Sequence, residues 1–409
     1  MRPGGHRQAA GLARGQVLSD GAERNRSPLA IIFFTVFIDL VGFGIVLPLL
    51  PYYAETYGAT ALQIGLLTAS YSLMQFLFTP LWGRLSDRYG RRPLILLSLC
   101  GSSMGFLVFG LATHLYVLFA ARTLAGIAGA VIPTTNAYIA DVTRPEERAR
   151  GMGLIGAAFG LGFILGPAIG GLLSPYGYDK PALLASAMAA TNLVFAYFKL
   201  PESLTDEARR RARSRPLVLA MLRGALSQPR VALLLVLFFF VTFAFSNMEA
   251  TFGLLNEHRY GLSARQTAYL FTYIGVLISV IQGVLVGRVV KRLGEGLCIS
   301  LGTLMMVFGL SLMPAAPNVA VYCGILALIA FGTGINNPSI TSLLSRSTSI
   351  DEQGGILGLA QSVGSLGRIL GPMWGGFTFG LDMRWPFLTG GAFMALAFLL
   401  SLRNLRYAA

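Results

Sequence analysis

The chain has 409 residues, of which 54% are hydrophobic and 12% charged, with a formal charge of +14 at pH 7. A soluble domain devotes about a quarter of its residues to charge in order to face water, so this composition excludes an ordinary water-soluble globule and points to lipid as the solvent. Twelve spans of about 20 residues would use about 240 positions, which leaves short loops, one longer linker and no separate soluble domain.

Residues 1–28 hold Arg2, Arg7, Arg14, Arg24 and Arg26 among Gly and Ala with no apolar stretch of their own. They read as an unstructured cytoplasmic tail and not as a cleaved secretory leader. Apolar segments then recur near 29–50, 61–82, 94–112, 115–139, 151–173, 181–200, 231–254, 266–287, 297–315, 318–344, 354–381 and 385–402. Between the sixth and seventh, residues 201–230 carry Arg209, Arg210, Arg211, Arg213 and Arg215 beside Glu202, Asp206 and Glu207, a composition expected of a cytoplasmic linker. Residues 403–409 form a short cytoplasmic C-terminal tail.

The basic residues decide orientation. Of the 32 Lys and Arg, 26 lie in the N-terminal tail, the even-numbered connections and the C-terminal tail, and only four, Lys180, Arg259, Arg265 and Arg384, lie in odd-numbered connections. This asymmetry follows the positive-inside rule, so both termini are expected in the cytoplasm. The charge is thereby a topology signal, and no nucleic-acid partner is expected. Cys100, Cys298 and Cys323 lie within spans and read as packing residues, with no disulfide and no metal site implied. No histidine sits beside a nucleophile, so no enzyme is expected.

The chain repeats itself. Displaced by 205 residues, 125–171 aligns with 330–376 without a gap and with 15 identities, among them Gly129/Gly334, Pro133/Pro338, Gly162/Gly367, Gly166/Gly371, Pro167/Pro372, Gly170/Gly375 and Gly171/Gly376. A displacement of 204 sets the connection 83–90 over 287–294, where the second copy has lost the acid of the first. A six-span repeat returns each helix in the same orientation, which relates the halves by an axis along the membrane normal. The expected fold is an all-α membrane protein of twelve transmembrane helices in two pseudo-symmetric six-helix bundles, 29–200 and 231–402.

Four charged residues lie well inside spans: Asp39, Arg122, Glu249 and Arg368. An ionisable group in the bilayer costs between about 2.5 and more than 10 kcal/mol, so such residues face a cavity or a partner. Counting helical rise, Asp39 stands about 15 Å up its span and Arg122 about 18–20 Å, with Glu249 near 27 Å and Arg368 near 21 Å. The levels predict the pairs Asp39/Arg122 and Glu249/Arg368, with Asp39 as the principal proton site. A carboxylate beside Arg stays ionised and one that loses its Arg takes up a proton more readily, so a rocking motion becomes a proton switch. A static pair that fixes helix packing is the alternative for both.

The connection Gly83-Arg84-Leu85-Ser86-Asp87-Arg88-Tyr89-Gly90-Arg91-Arg92-Pro93 resembles the signature loop of the major facilitator superfamily. The fifth span, with Gly153, Gly162, Gly166, Pro167, Gly170 and Gly171, is similar to the motif of that family's drug:proton antiporter branch. The fourth span from Arg122, and Asp39, Gly42, Gly44, Pro48 and Pro51 in the first, are similar to the corresponding spans of tetracycline-type exporters. The resemblance implies a multi-pass transporter of the bacterial inner membrane, active as a monomer, with the proton as coupling ion and no other cofactor. It implies a cytoplasmic gate formed by Gly83, Asp87, Arg88, Arg91, Arg92 and Asp141 that latches the halves when the cavity opens outward. The tetracycline exporters use a further acid in the third span and a histidine in the eighth; Gly105 and Ile278 stand there, so tetracycline itself is not carried over.

By the same analogy the cavity is lined by spans 1, 4, 7 and 10, flanked by 2, 5, 8 and 11. Expected substrate contacts are Gln75, Asn136, Phe243, Asn247, Asn336, Asn337 and Gln361, a mixture of amides and aromatic surface suited to small amphipathic molecules. These amides can equally serve as helix-packing hydrogen bonds. The leading expectation is a proton-coupled exporter; a symporter or lipid or metabolite transporter on the same fold, and a non-transporting membrane receptor or assembly factor, are the alternatives.

Overall fold

The structure is a computed structural model that describes residues 28–143, 147–204, 228–348 and 353–406. The expected N-terminal tail, the arginine-rich part of the linker and the last three residues lie outside the described residues. The helices are α1 (Pro28–Glu55), α2 (Ala61–Tyr89), α3 (Arg91–Gly110), α4 (Leu115–Val142), α5 (Arg148–Leu173) and α6 (Asp179–Lys199) in the N-terminal half. In the C-terminal half they are α7 (Pro229–Tyr260), α8 (264–293), α9 (295–312), α10 (Val319–Arg346), α11 (Gln353–Phe379) and α12 (Trp385–Arg406). Among the described residues ten stretches are long and apolar enough to cross a membrane; one of them, Ala264–Ala315, is two helices broken at Gly294. α11, held between α2 and α7, completes the twelve crossings.

Local chemistry sets the ends. Thr60 and Gln63 form a capping box at the start of α2, and Ser263 and Gln266 form one at the start of α8, its counterpart in the second half. The chain reverses between α2 and α3 at Gly90, φ 108°, and between α8 and α9 at Gly294, φ 77°. A side chain at such positive φ is strained, so the repeat keeps glycine at both. α4 breaks after Ala130, just ahead of Pro133, and α8 carries a π-helical stretch at Ile281–Leu285.

The repeat in sequence is a repeat in packing. Gly162, Gly166 and Gly170 of α5 press on the backbone of α1 at Leu40, Gly44 and Ile45, and Gly367, Gly371 and Gly375 of α11 press in the same way on α7 at Phe243 and Asn247. Each glycine helix also meets the other half, α5 through Gly171 against Ala268 of α8 and α11 through Gly376 against Ala61 of α2.

The face on which α1 begins is here termed the basic face. Toward the opposite face the halves are clamped together: Gly65 lies against Pro372, Gly253 against Pro51 and Gly275 against Phe163. The cross-half hydrogen bonds among the described residues, Tyr52 to Thr267 and Leu262 and Thr272 to Ile164, lie on that side too. Toward the basic face Gly83, Gly153, Gly156, Gly283, Gly287, Gly354 and Gly358 have nothing within 4 Å of where a Cβ would stand. Each half there keeps its own apolar cluster, around Ile32, Ile95 and Tyr138 in one and Ile281, Cys298 and Ile335 in the other. These close contacts between the halves thus lie toward the opposite face, a pattern that matches halves held together there and parted toward the basic face.

Candidate functional site

At the centre, Arg122 of α4 is 4% exposed and places its guanidinium over the ring of Tyr71 of α2 at 4.6 Å, with Phe43 of α1 at 5.9 Å. Its Nε is buried without a hydrogen-bond partner. Glu249 of α7 lies in the electrostatic field of both Arg368 of α11 and Arg122, one guanidinium from each half. Arg368 donates to Ser365 at 2.9 Å. Tyr71 lies in the fields of Asp39, Arg122 and Arg368 and is the hub of the cluster.

The expected pair Asp39/Arg122 is not formed. Among the described residues none of the four charges within spans, including those of the expected pair Glu249/Arg368, is in an ion pair within 4 Å. Asp39 stands beside Ser102 of α3, on the side of α1 where Gly42 meets Phe106 and Ala185. Arg122 turns instead to α2. Helical rise fixes the level of a residue along the membrane normal but not its direction around the helix, and two residues at one level need not meet.

At the basic end of the N-terminal half, Arg91 is 6% exposed and donates to Ser86 at 2.7 Å, Asp87 at 2.6 Å and Asp141 at 3.3 Å, joining α2, α3 and α4 within that half. Three expected gate residues behave differently. Arg88 is exposed and lies over Tyr89; Arg92 turns to α6, donating to Tyr197 O at 2.6 Å; and Gly83 makes no close helix approach. For Arg92 the reason is helical direction again, since a residue one position from Arg91 on the same helix points about 100° away from it. Glu202, at the root of the linker, accepts from the backbone of Arg91 at 2.8 Å and of Arg92 at 3.2 Å and so caps α3.

The second half holds the same latch with its charges exchanged. Glu295, which corresponds to Arg91 at a displacement of 204, accepts from Arg346 at 2.7 Å, and Arg346 corresponds to Asp141 at a displacement of 205. The acid missing from the aligned loop is supplied at the start of α9.

Four of the expected substrate contacts face elsewhere. Asn247 is fully buried and donates to Pro386 O at 2.6 Å, against α11 and α12. Asn336, also fully buried, reaches Met306 of α9 at 3.7 Å. Gln75 donates to Gly129 O at 3.0 Å and staples α2 to α4. Phe243 turns outward with Phe239, Phe240, Trp374 and Phe393 into an apolar crevice among α2, α7, α11 and α12. Burying an amide without a partner costs about 1–3 kcal/mol, so in a tight interface the neighbouring carbonyl captures it. Asn136 and Asn337 are half-buried and Gln361 is exposed; the Asn337 Oδ1 has no protein partner. Gly105 lies against Ala125 of α4, where an added Cβ would stand 3.1 Å from the Ala125 Cβ, so any side chain there is crowded.

Comparison with known proteins agrees with this architecture. The family model described as Major Facilitator Superfamily matches residues 32–372 and 281–408. The chain is 31% identical to Multidrug resistance protein 2 of Bacillus subtilis (strain 168) over 371 residues, covering 89% of this chain and 92% of that one. It is 34% identical to Tetracycline resistance protein, class C, of Escherichia coli over 353 residues, covering 86% and 89%. Among solved structures it resembles the human organic anion transporter MFSD10 (TETRAN) with a TM-score of 0.70 and 28% identity, covering 92% of this chain and 99% of that one.

Proposed function

Since the chain belongs to the major facilitator superfamily, we propose that it exports small amphipathic, drug-like molecules from the cytoplasm in exchange for protons, by rocking its two halves about the central cluster. The basic face is the cytoplasmic one, with both termini on that side, which the distribution of Lys and Arg supports. The relatives named for multidrug and tetracycline resistance support the export of drug-like compounds. Tetracycline itself is not singled out, because the third span carries Gly105, crowded against Ala125, and no acid.

The observation that carries the reading is that Glu249 lies in the field of one arginine from each half. In the conformation open to the cytoplasm, substrate enters beside Asn337, Gln361 and the central charges. Closing the basic face and opening the other changes the spacing between Arg122, which travels with the N-terminal half, and Glu249, which travels with the other. A carboxyl whose cationic neighbour withdraws gains a proton, and one whose neighbour returns loses it. Asp39, beside Ser102, is the second proton acceptor. One charge moved through 100 mV supplies about 2.3 kcal/mol, enough for roughly a fifty-fold gradient of substrate.

The test is the sign of proton movement. In proteoliposomes loaded with a pH dye, export of a lipophilic cation such as ethidium is expected to bring protons in, one or more per molecule. A second reading, an organic-anion transporter, is favoured by Arg122, a buried guanidinium with an unpartnered Nε. An anion bound there would favour the protonated carboxyl and travel with the proton in the same direction. Protons moving with the substrate would therefore replace the exchange reading by the second.

A further inference from the structure

The opposite face carries a cluster that the central mechanism does not use. α1 ends in Glu55 and α7 in Glu257 and His258, so the residues come from different halves. Their ligand atoms all lie within 4.8 Å of one another, and His258 Nε2 stands 3.2 Å from Glu55 Oε1. The other carboxylate oxygen of Glu55, Oε2, is buried and has no partner. The cluster sits on the closed gate, beside Pro51 packed on Gly253 and the bond from Tyr52 to Thr267.

We propose that Glu55, Glu257 and His258 form a further proton-binding site, away from the central cluster, that latches the outer gate shut when protonated and releases it when deprotonated. Two carboxylates this close cannot both stay ionised without repelling, and a proton shared between them, or carried by the imidazole, turns the repulsion into a bridge across the halves. His258 adds an imidazole whose Nε2 stands 3.2 Å from Glu55 Oε1, so a proton on it bridges the two halves. With protons bound, the outer ends of α1 and α7 are held together. Without them, two like charges, one on each half, push the gate open.

The surrounding charges do not supply an alternative counter-ion. Arg259 lies over the ring of Tyr260, Arg265 donates to Tyr269, Lys180 pairs with Asp179, and Arg384 pairs with Asp382. Tyr52 and Tyr178 lie within the field of both carboxylates as neutral neighbours, and Phe379 of α11 packs on His258 at 5.9 Å. The latch suits an exchanger: a proton taken from outside closes the outer gate behind it and returns the carrier to the cytoplasm-facing state.

The experiment places spin labels on the outer loops of the two halves, Thr113→Cys and Pro317→Cys, with Cys100, Cys298 and Cys323 replaced by serine. Asp39→Asn and Glu249→Gln remove the central carboxyls, so any remaining response to pH belongs to other groups. In this background, electron–electron distance measurements are expected to show the long-distance, outward-open population rising severalfold between pH 5 and 8. Adding Glu55→Gln or, separately, Glu257→Gln should abolish the rise and leave the short distance dominant throughout; His258→Gln should move its midpoint. A rise that survives both glutamine variants, or no rise in the background protein, would overturn the proposal, whereas the reading of Glu249 would stand or fall by its own transport assay.

Discussion

Gly166 of α5 and Gly44 of α1 touch through their backbones: a Cβ on Gly166 would stand 2.6 Å from the Gly44 Cα, closer than real Cβ atoms come. The same relation recurs in the second half, where a Cβ on Gly371 would stand 2.6 Å from the Phe243 carbonyl oxygen. Overpacking costs about 1–3 kcal/mol where side chains can yield, and here the obstacle is backbone. Gly166→Val and Gly371→Val are therefore each expected to lower the melting temperature in detergent and to abolish transport, while Gly156→Ala, in open space, leaves both unchanged. Equal behaviour of all three variants would show that the glycine seams are not the contacts that matter.

Arg91 and Arg346 occupy corresponding latches with very different burial. The Arg91 side chain is 7% exposed and that of Arg346 70%. Removing one partner of a buried pair costs about 3–5 kcal/mol, whereas an exposed pair contributes about 0–1 kcal/mol. Arg91→Ala should thus unfold at a distinctly lower temperature than wild type and Arg346→Ala at nearly the same one.

Asn247 and Asn337 separate packing from binding. Asn247→Ala leaves the Pro386 carbonyl without its donor, at a cost of about 1–3 kcal/mol, and should reduce the yield of folded protein without changing which substrates are exported. Asn337→Ala should leave stability unchanged and raise KM for at least one substrate of a dye panel. A reversed pattern would move the substrate site to the α7–α11 seam.

Tyr71 supports Arg122 through its ring, a contact expected to contribute about 0.5–2 kcal/mol when desolvated. Tyr71→Phe should keep uphill export and Tyr71→Leu should lose most of it. Equal loss in both variants would assign the role to the hydroxyl and not to the ring.

Much of this architecture is legible in the chain because lipid imposes simple rules. The apolar spans, the six-span repeat and the glycines of α5 and α11 follow from what a helix must show to lipid and to a neighbour, and the helices are where those patterns placed them. That Asp39 and Arg122 do not meet was not legible, because level is written in residue count and direction depends on how α1 and α4 rotate against α3 and α2. Asn247, Asn336 and Gln75 look like cavity residues in composition, and only the carbonyls of Pro386 and Gly129 and the sulfur of Met306 reveal them as packing groups. The exchanged latch Glu295–Arg346 was hidden because its acid moved from the end of one helix to the start of the next. Glu202 gave no signal at all: its role depends on the chain folding back onto Gly90, far away in sequence.

The central claim is that Glu249, in the field of an arginine from each half, couples the proton to the movement of the halves. Everted membrane vesicles with an imposed pH gradient, measured for both uphill accumulation and downhill exchange of ethidium, test it in one preparation. Glu249→Gln is expected to keep downhill exchange at near the wild-type rate and to lose uphill accumulation and its dependence on the gradient. Uphill accumulation at the wild-type level in that variant would contradict the account.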